Sequence, residues 1–281
     1  MSIFITALHK NDNIHIESEL GINNAGYYQI TNVNSQTIRP NGRKDYQMIY
    51  IKSGKGFFRF DKEKIEVSAG NIVLYRPYCP QIYRFNSHDK PEVYWIHFDG
   101  TNAQELVDEC GFDKNNVIPF YNILFPNTIN KIISELRNDD IMCQYACVSA
   151  FLQLLIYIAR NNEQQSCTPH NKSINKICEY ISNNYYQQIP NQKYAAMCAM
   201  STSYFLKQFK KEVGTTPHKY QIMNQLDNAK TLILTSDYTF EEISSIVGFS
   251  SPMYFSRIFK KETGMTPTEF KKANSFNNEE I

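Results

Sequence analysis

Two stretches of the chain repeat the same charged and hydroxyl-bearing residue types at the same spacing. SYFLKQFKKEVGTTPHKY occupies 203–220 and MYFSRIFKKETGMTPTEF occupies 253–270, fifty residues later, with nine of eighteen positions identical. Duplication on this scale marks a repeated structural unit. Apolar residues recur at helical spacing in each: Phe205 and Phe209 in the first, Phe255, Ile258 and Phe259 in the second. Those faces turn toward a core. Ser203, Leu206, Lys207 and Lys210 share the opposite side of the first helix, and Met253, Ser256, Arg257 and Lys260 that of the second. On one isolated amphipathic helix such residues are ordinarily a solvated face. Their duplication favours a different use: a helix fits the DNA major groove, where Lys or Arg donates to guanine O6 and N7 and hydroxyl or methyl-bearing side chains read neighbouring edges. Lys207 and Arg257 occupy equivalent places, and so do Lys210 and Lys260.

Elements that would aim these residues are also repeated. With a one-residue slip, KYAAMCAMS at 193–201 aligns with EISSIVGFS at 242–250, setting Ala195 opposite Ser244, Ala199 opposite Gly248 and Met200 opposite Phe249. Each unit therefore reads as a short helix, a tight turn and a second helix. Small residues at Ala195 and Ser244 let two helices cross closely, and Gly248 supplies the positive φ of a sharp turn. Ser201 in one unit, and Ser250 or Ser251 in the other, are placed to cap the following helix. Between the units, Pro217 to Leu234 keeps a continuous helical pattern through Tyr220, Met223, Leu226, Ala229, Leu232 and Ile233. Eighteen helical residues span roughly 27 Å, which would hold the two second helices near the ~34 Å separation of successive major grooves.

The run ISSIVGFSSPMYFSRIFKKETGMTPTEF, together with S-x-x-Y-F and FKKE-x-G-x-T-P in the first unit, resembles the C-terminal domain of AraC/XylS-type transcriptional regulators over about residues 173–272. The resemblance implies double-stranded DNA as a partner and activation of promoters beside RNA polymerase. Ser244 departs from the family's usual alanine; its small size predicts no consequence.

Residues 20–100 have another character. Short runs such as YQMIYI, GFFRF, KIEVS, NIVLYRP and EVYWIHF are separated by SGKG, SAGN and RPYCP, the signature of several short strands in a small barrel or sandwich. The pattern Y-x-x-I-Y-I-x-S-G-K-G, then S-A-G-N-I-V-L-Y-R-P, then W-I-H-F-D-G resembles the cupin-type sensing domain of the same family. Arg39, Tyr83 and Trp95 are the candidate ligand-binding residues, because aromatics stack on the apolar face of a sugar and a guanidinium fork grips its hydroxyls. R-P-x-G-x-K-x-Y in TIRPNGRKDY resembles the ligand-arm region of sugar-sensing members, which would make Arg39 the sugar-binding arginine; Trp95 and Tyr83 match pocket aromatics. Read from the residues alone, both aromatics fit a core equally well and Arg39 a surface charge.

A catalytic cupin would need two or three histidines and a carboxylate converging on one metal. The six histidines, His9, His15, His88, His97, His170 and His218, include no H-x-H pair, and His97 reads as a satisfied core histidine. Seven cysteines are scattered without a C-x-x-C pair, so they read as reduced thiols rather than a disulfide framework or zinc site. No enzyme activity, metal or cofactor is expected.

Two domains are the natural division of 281 residues. Residues 1–162 are expected to form an α+β ligand-binding and dimerisation domain, a cupin-like β-barrel with packing helices. Residues 163–172, including Pro169, read as linker, 173–272 as an all-α domain of two helix-turn-helix units joined by a long helix, and 273–281 as a polar tail. Residues 171–281 carry 13 Lys/Arg against 10 Asp/Glu, and residues 1–170 carry 16 against 18, a positive bias in the half expected to meet phosphate. The helical stretch from Asn127 to Asn162 is apolar on more than one face, which suits packing on the barrel and equally suits a homodimer contact. With no leader pattern and no apolar run of membrane length, a cytoplasmic location without membrane contact is expected. The leading expectation is an activator of carbohydrate-utilisation genes controlled by a small sugar; the alternatives are a like regulator answering a stress or virulence cue, and a cupin enzyme with a DNA-binding tail.

Overall fold

All five of those strand runs form, and five more join them. A computed structural model of the chain describes residues 3–8, 18–30, 32–138, 140–165 and 171–275. Its strands are β1 (Ile3–Leu8), β2 (Gly21–Gln29), β3 (Ser35–Arg39), β4 (Tyr46–Ser53), β5 (Lys55–Phe60), β6 (Glu63–Ser68), β7 (Asn71–Tyr75), β8 (Gln81–Phe85), β9 (Glu92–Asp99) and β10 (Val117–Pro119). One sheet runs β1-β2-β9-β4-β7-β10 and the other β3-β8-β5-β6; the two open sheets face each other as a cupin-like barrel.

The larger sheet is covered on both sides, so its central strands read as nearly unbroken apolar runs. Ile49, Ile51, Val73, Tyr75 and Val93 pack inward with Phe58, Val67 and Phe85 of the second sheet. Their alternates Met48, Tyr50, Ile72, Leu74, Ile96 and Phe98 pack against helices α1 (Ala103–Val107), α2 (Leu124–Asn138) and α3 (Cys143–Gln165).

Two expectations change here. α3 continues through Gln165, three residues into the stretch read as linker, because no glycine or proline interrupts Asn-Asn-Glu-Gln-Gln; residues 166–170, with Cys167, Pro169 and His170, lie outside the described residues. The window Cys143–Arg160 has mean hydropathy 1.3 and meets the length and composition of a membrane span, contrary to the expectation that no run does. Its Cys147, Phe151, Leu154, Leu155 and Ile158 are nevertheless packed in the core beneath the sheet, as in a core helix. Cys110 and Cys147 are buried there too, and burial pushes both thiols up, Cys110 to about 12, so neither is a nucleophile at neutral pH.

Contacts divide the chain into Ser2–Asn171 and Lys172–Ile281, and the second unit is entirely helical where described. It comprises α4 (Asn171–Asn183), α5 (Asn191–Met197), α6 (Thr202–Val213), α7 (Pro217–Thr235), α8 (Phe240–Ile246), α9 (Pro252–Thr263) and α10 (Pro267–Ser275). α7 opens with Pro217 behind the cap Thr216, where a missing N–H costs nothing. The expected polar tail begins inside α10, and 276–281 lie outside the described residues; His9 and His15 do as well.

Candidate functional site

A cavity of about 370 Å³ opens between the two sheets of the first unit, and Arg39, Tyr83 and Trp95 all line it. Trp95 on β9 is the cross-strand partner of Gly26 on β2. A Cβ at Gly26 would lie 2.1 Å from the indole, so glycine there is the space the ring occupies. Tyr83 stacks on Phe58 with ring centroids 5.7 Å apart, and its hydroxyl accepts from Gln47 Nε2 at 3.4 Å. Pocket and core are thus not alternatives for these aromatics: each packs against the inner cluster while forming cavity wall. Arg39 is no free surface charge, since its Nη1 donates to Oε1 of buried Gln81 at 2.8 Å.

A second, polar group beside the cavity has no counterpart in the sequence reading. Asp45 is buried and receives Arg43 through two hydrogen bonds, 2.7 and 3.0 Å, Asn23 Nδ2 at 3.1 Å and His97 Nδ1 at 3.4 Å. Burial by itself would raise the Asp45 carboxyl, but the bonds from His97 and Arg43 overcome it and hold the group well below the usual carboxylate range. Burial keeps His97 below the ordinary histidine value, against the opposing pull of Asp45. The imidazole is therefore neutral at pH 7, and with Nδ1 donating to Asp45 its Nε2 is an acceptor. His97 is a satisfied histidine, as expected, and it also lines the cavity beside Arg43 and Gln47. Gln47 is 3% exposed and its Oε1 has no hydrogen-bond partner among the described residues, an open acceptor at the wall. The period-2 spacing of Trp95 and His97 was the available signal for the second of them.

In the second unit, Ser201 caps α6 by accepting from Tyr204 N, and Ser251, not Ser250, caps α9 by accepting from Tyr254 N. Phe205, Phe209 and Val213 bury one side of α6, and Phe255 and Phe259 that of α9. Ser203, Lys207, Lys210, Met253, Arg257 and Lys260 are exposed, while Leu206 and Ser256 are half-buried. One contact escaped sequence reading: the Arg257 guanidinium lies 5.3 Å over the Tyr254 ring, which limits where that fork points.

A model described as the AraC-like ligand binding domain matches residues 24–170, and one described as a helix-turn-helix domain matches residues 194–273. The chain belongs to the AraC family of DNA-binding transcriptional regulators. Among curated relatives, the lactose operon transcription activator of Staphylococcus xylosus is 22% identical over 72% of this chain and 75% of its own length. The Msm operon regulatory protein of Streptococcus mutans is 23% identical over 76% and 79%, and the activator RhaS of Salmonella heidelberg 24% over 73% and 77%. Of solved structures, the DNA-binding domain of AdpA in complex with a target DNA covers 38% of this regulator at 23% identity and TM-score 0.36. The xylose-binding activator xylR covers 37% at 30% identity, with 27% of its own chain matched and TM-score 0.34.

Ser244 corrects an expectation. It is 1% exposed on α8 and its hydroxyl has no hydrogen-bond partner among the described residues, so replacing the family's usual alanine does carry a penalty. An unpaired buried hydroxyl costs roughly 1–3 kcal/mol, and Ser244→Ala is expected to stabilise this regulator's DNA-binding unit by about 1 kcal/mol or more. A thermal melt of the full chain with an unshifted or lowered second transition would disprove this.

Proposed function

We propose that this AraC-family regulator activates carbohydrate-utilisation genes and is switched by a small sugar held between the two sheets of its first unit. The observation that carries the reading is that an indole, two guanidinium groups, a neutral imidazole and the open Gln47 acceptor line one cavity. Hydroxyl-rich rings present alternating donors and acceptors around a hydrophobic face, and this lining answers both. The lactose operon in the name of the Staphylococcus relative points the same way. Calorimetry with a panel of pentoses, hexoses and disaccharides tests it: at least one should bind saturably, with binding lost in Arg39→Ala and Trp95→Ala. Silence across the panel would remove the sugar from the proposal.

On the DNA side, Ser203, Leu206, Lys207 and Lys210 of α6 and Met253, Ser256, Arg257 and Lys260 of α9 form the groove-facing edges. Arg257→Ala is expected to weaken recognition at one base position by ~1–3 kcal/mol, whereas Lys210→Ala should weaken binding on every sequence and flatten its salt dependence. Equal losses for both variants on specific and random DNA would refute that division of labour.

The regulator acts in the cytoplasm as a homodimer that recruits RNA polymerase. Its dimer face is the outer side of α3, where Met142 leads in to Tyr145, Leu152 and Ile156; Met142, Tyr145 and Ile156 are 58%, 72% and 47% exposed. An apolar stripe at this spacing is covered by a second copy in many helical dimers, and Tyr145→Glu should shift sedimentation toward the monomer.

A further inference from the structure

The two helix-turn-helix units are joined by more than the peptide chain of α7. Gln221 and Gln225 lie about one turn apart on that helix, 7% and 5% exposed. Gln221 Nε2 donates to the carbonyls of Tyr185 at 2.9 Å and Gln187 at 2.6 Å, in the loop that leads into α5 of the first unit. Gln225 Nε2 donates to the carbonyl of Gly248 at 3.3 Å, in the turn of the second. That loop and that turn also meet directly. A Cβ on Gly248 would lie 2.3 Å from the Tyr186 carbonyl oxygen, and Tyr185 packs against the second unit's own core beside Leu226, Ile243 and Phe255.

We propose that Gln221 and Gln225 are positioning residues that fix the separation of the two recognition helices, so that the regulator accepts only one spacing between the half-sites read by α6 and α9. The inference rests on the reading that both helices engage DNA at once. Each inserted base pair moves one half-site by about 3.4 Å along the duplex and turns it by about 35°. Two units hinged only at the short turns on either side of α7 could follow such a displacement. Units whose entry loop and turn are interlocked, each fastened to α7 by a buried amide, cannot. Removing an amide leaves the Tyr185, Gln187 or Gly248 carbonyl without that donor and frees the joint rather than unfolding either unit, whose aromatic cores are separate: Tyr194, Phe205 and Phe209 in one, Phe249, Phe255 and Phe259 in the other.

The test uses full-length protein and an operator selected by the wild type from a random-sequence pool, then remade with one base pair added or removed between its halves. Wild type is expected to lose affinity by about tenfold or more on either change, because simultaneous engagement is lost. Gln221→Met and Gln225→Met should bind the selected operator less tightly yet show a spacing penalty reduced to about threefold or less, with unchanged binding to DNA carrying a single half-site. A purely structural role would lower the melting temperature and leave the penalty intact, and that result overturns the proposal. So does a wild type that tolerates the inserted base pair. A selected pool containing only isolated half-sites would instead strike at the two-helix reading itself, and the spacing proposal would fall with it. Should the variants not fold, spin labels on unnatural residues at Lys211 and Lys261 of the otherwise wild-type chain decide the matter. One narrow distance, equal with and without DNA, is expected; a broad distribution in free protein refutes the fixed joint.

Discussion

Asp45→Ala is expected to cost the sensor unit about 3 kcal/mol and to abolish ligand binding. The carboxylate is the acceptor for Arg43, Asn23 and His97 together, so its loss strands a cation and a buried ring at the cavity wall. Breaking a buried pair typically costs about 3–5 kcal/mol; Arg43 keeps 32% of its side chain in solvent, which places this case at the lower end. Asp45→Asn retains an acceptor for Arg43 without the charge and should lose less. The same cluster sets an acid limit. For both Asp45 and His97 the folded state holds the proton more weakly than the unfolded chain does, so acid favours unfolding twice over. Stability from His97 is complete above its unfolded value of about 6.5 and drains as pH falls past it; the Asp45 contribution follows only below about 4. Differential scanning calorimetry of the full chain between pH 8 and 5 should show the sensor transition falling while His97→Gln flattens that fall. A pH-independent sensor transition in the wild type, or an Asp45→Ala variant as stable as its parent, would contradict the account.

That wall was illegible in the sequence for a physical reason. Arg43, Asp45 and Gln47 alternate on one stretch, but His97 and Asn23 reach them through strand pairing across 52 and 22 residues, and no local pattern encodes such partners. β2 was hidden as well. Its GINNAGYYQ is rich in residues that disfavour strands, yet a bulge between Ile22 and Asn24 lets Asn23 reach Asp45, and Gly26 clears room for Trp95. The residues that weaken the strand signal are those the cavity requires. The DNA-binding unit was easier because its information is local: apolar spacing and caps lie within one or two turns, and duplication doubled the signal. Even there, no local pattern singles out Gln221 and Gln225, since burial at the joint arises only when the loop before α5 and the turn before α9 close on α7. Ser244 failed for a related reason: size predicted a fit, but whether a hydroxyl finds a partner depends on what surrounds it.

Gly248→Ala should be the more damaging of the two changes that can be made at the repeat's shared turn position. Gly248 has φ 86° and its counterpart Ala199 has φ 53°, so both turns use the left-handed region and only one uses the residue suited to it. An L side chain there costs roughly 1–2 kcal/mol. Ala199 already bears that cost, and Ala199→Gly should recover part of it, a net gain of about 0.5 kcal/mol after the entropy glycine returns to the unfolded chain. At Gly248 steric overlap is added to the strain. The new methyl would lie 2.3 Å from the Tyr186 carbonyl oxygen and 2.6 Å from its Cα, backbone atoms that move only if the entry loop is pushed off the turn. That displacement stretches the Gln225 bond to Gly248 and the Gln221 bonds to Tyr185 and Gln187 together, for a total of about 3 kcal/mol or more. Thermal unfolding of both variants provides the comparison. If Gly248→Ala melted within a degree or two of the wild type, the loop and turn would have to be separable, and their close approach would not constrain how α6 and α9 are held.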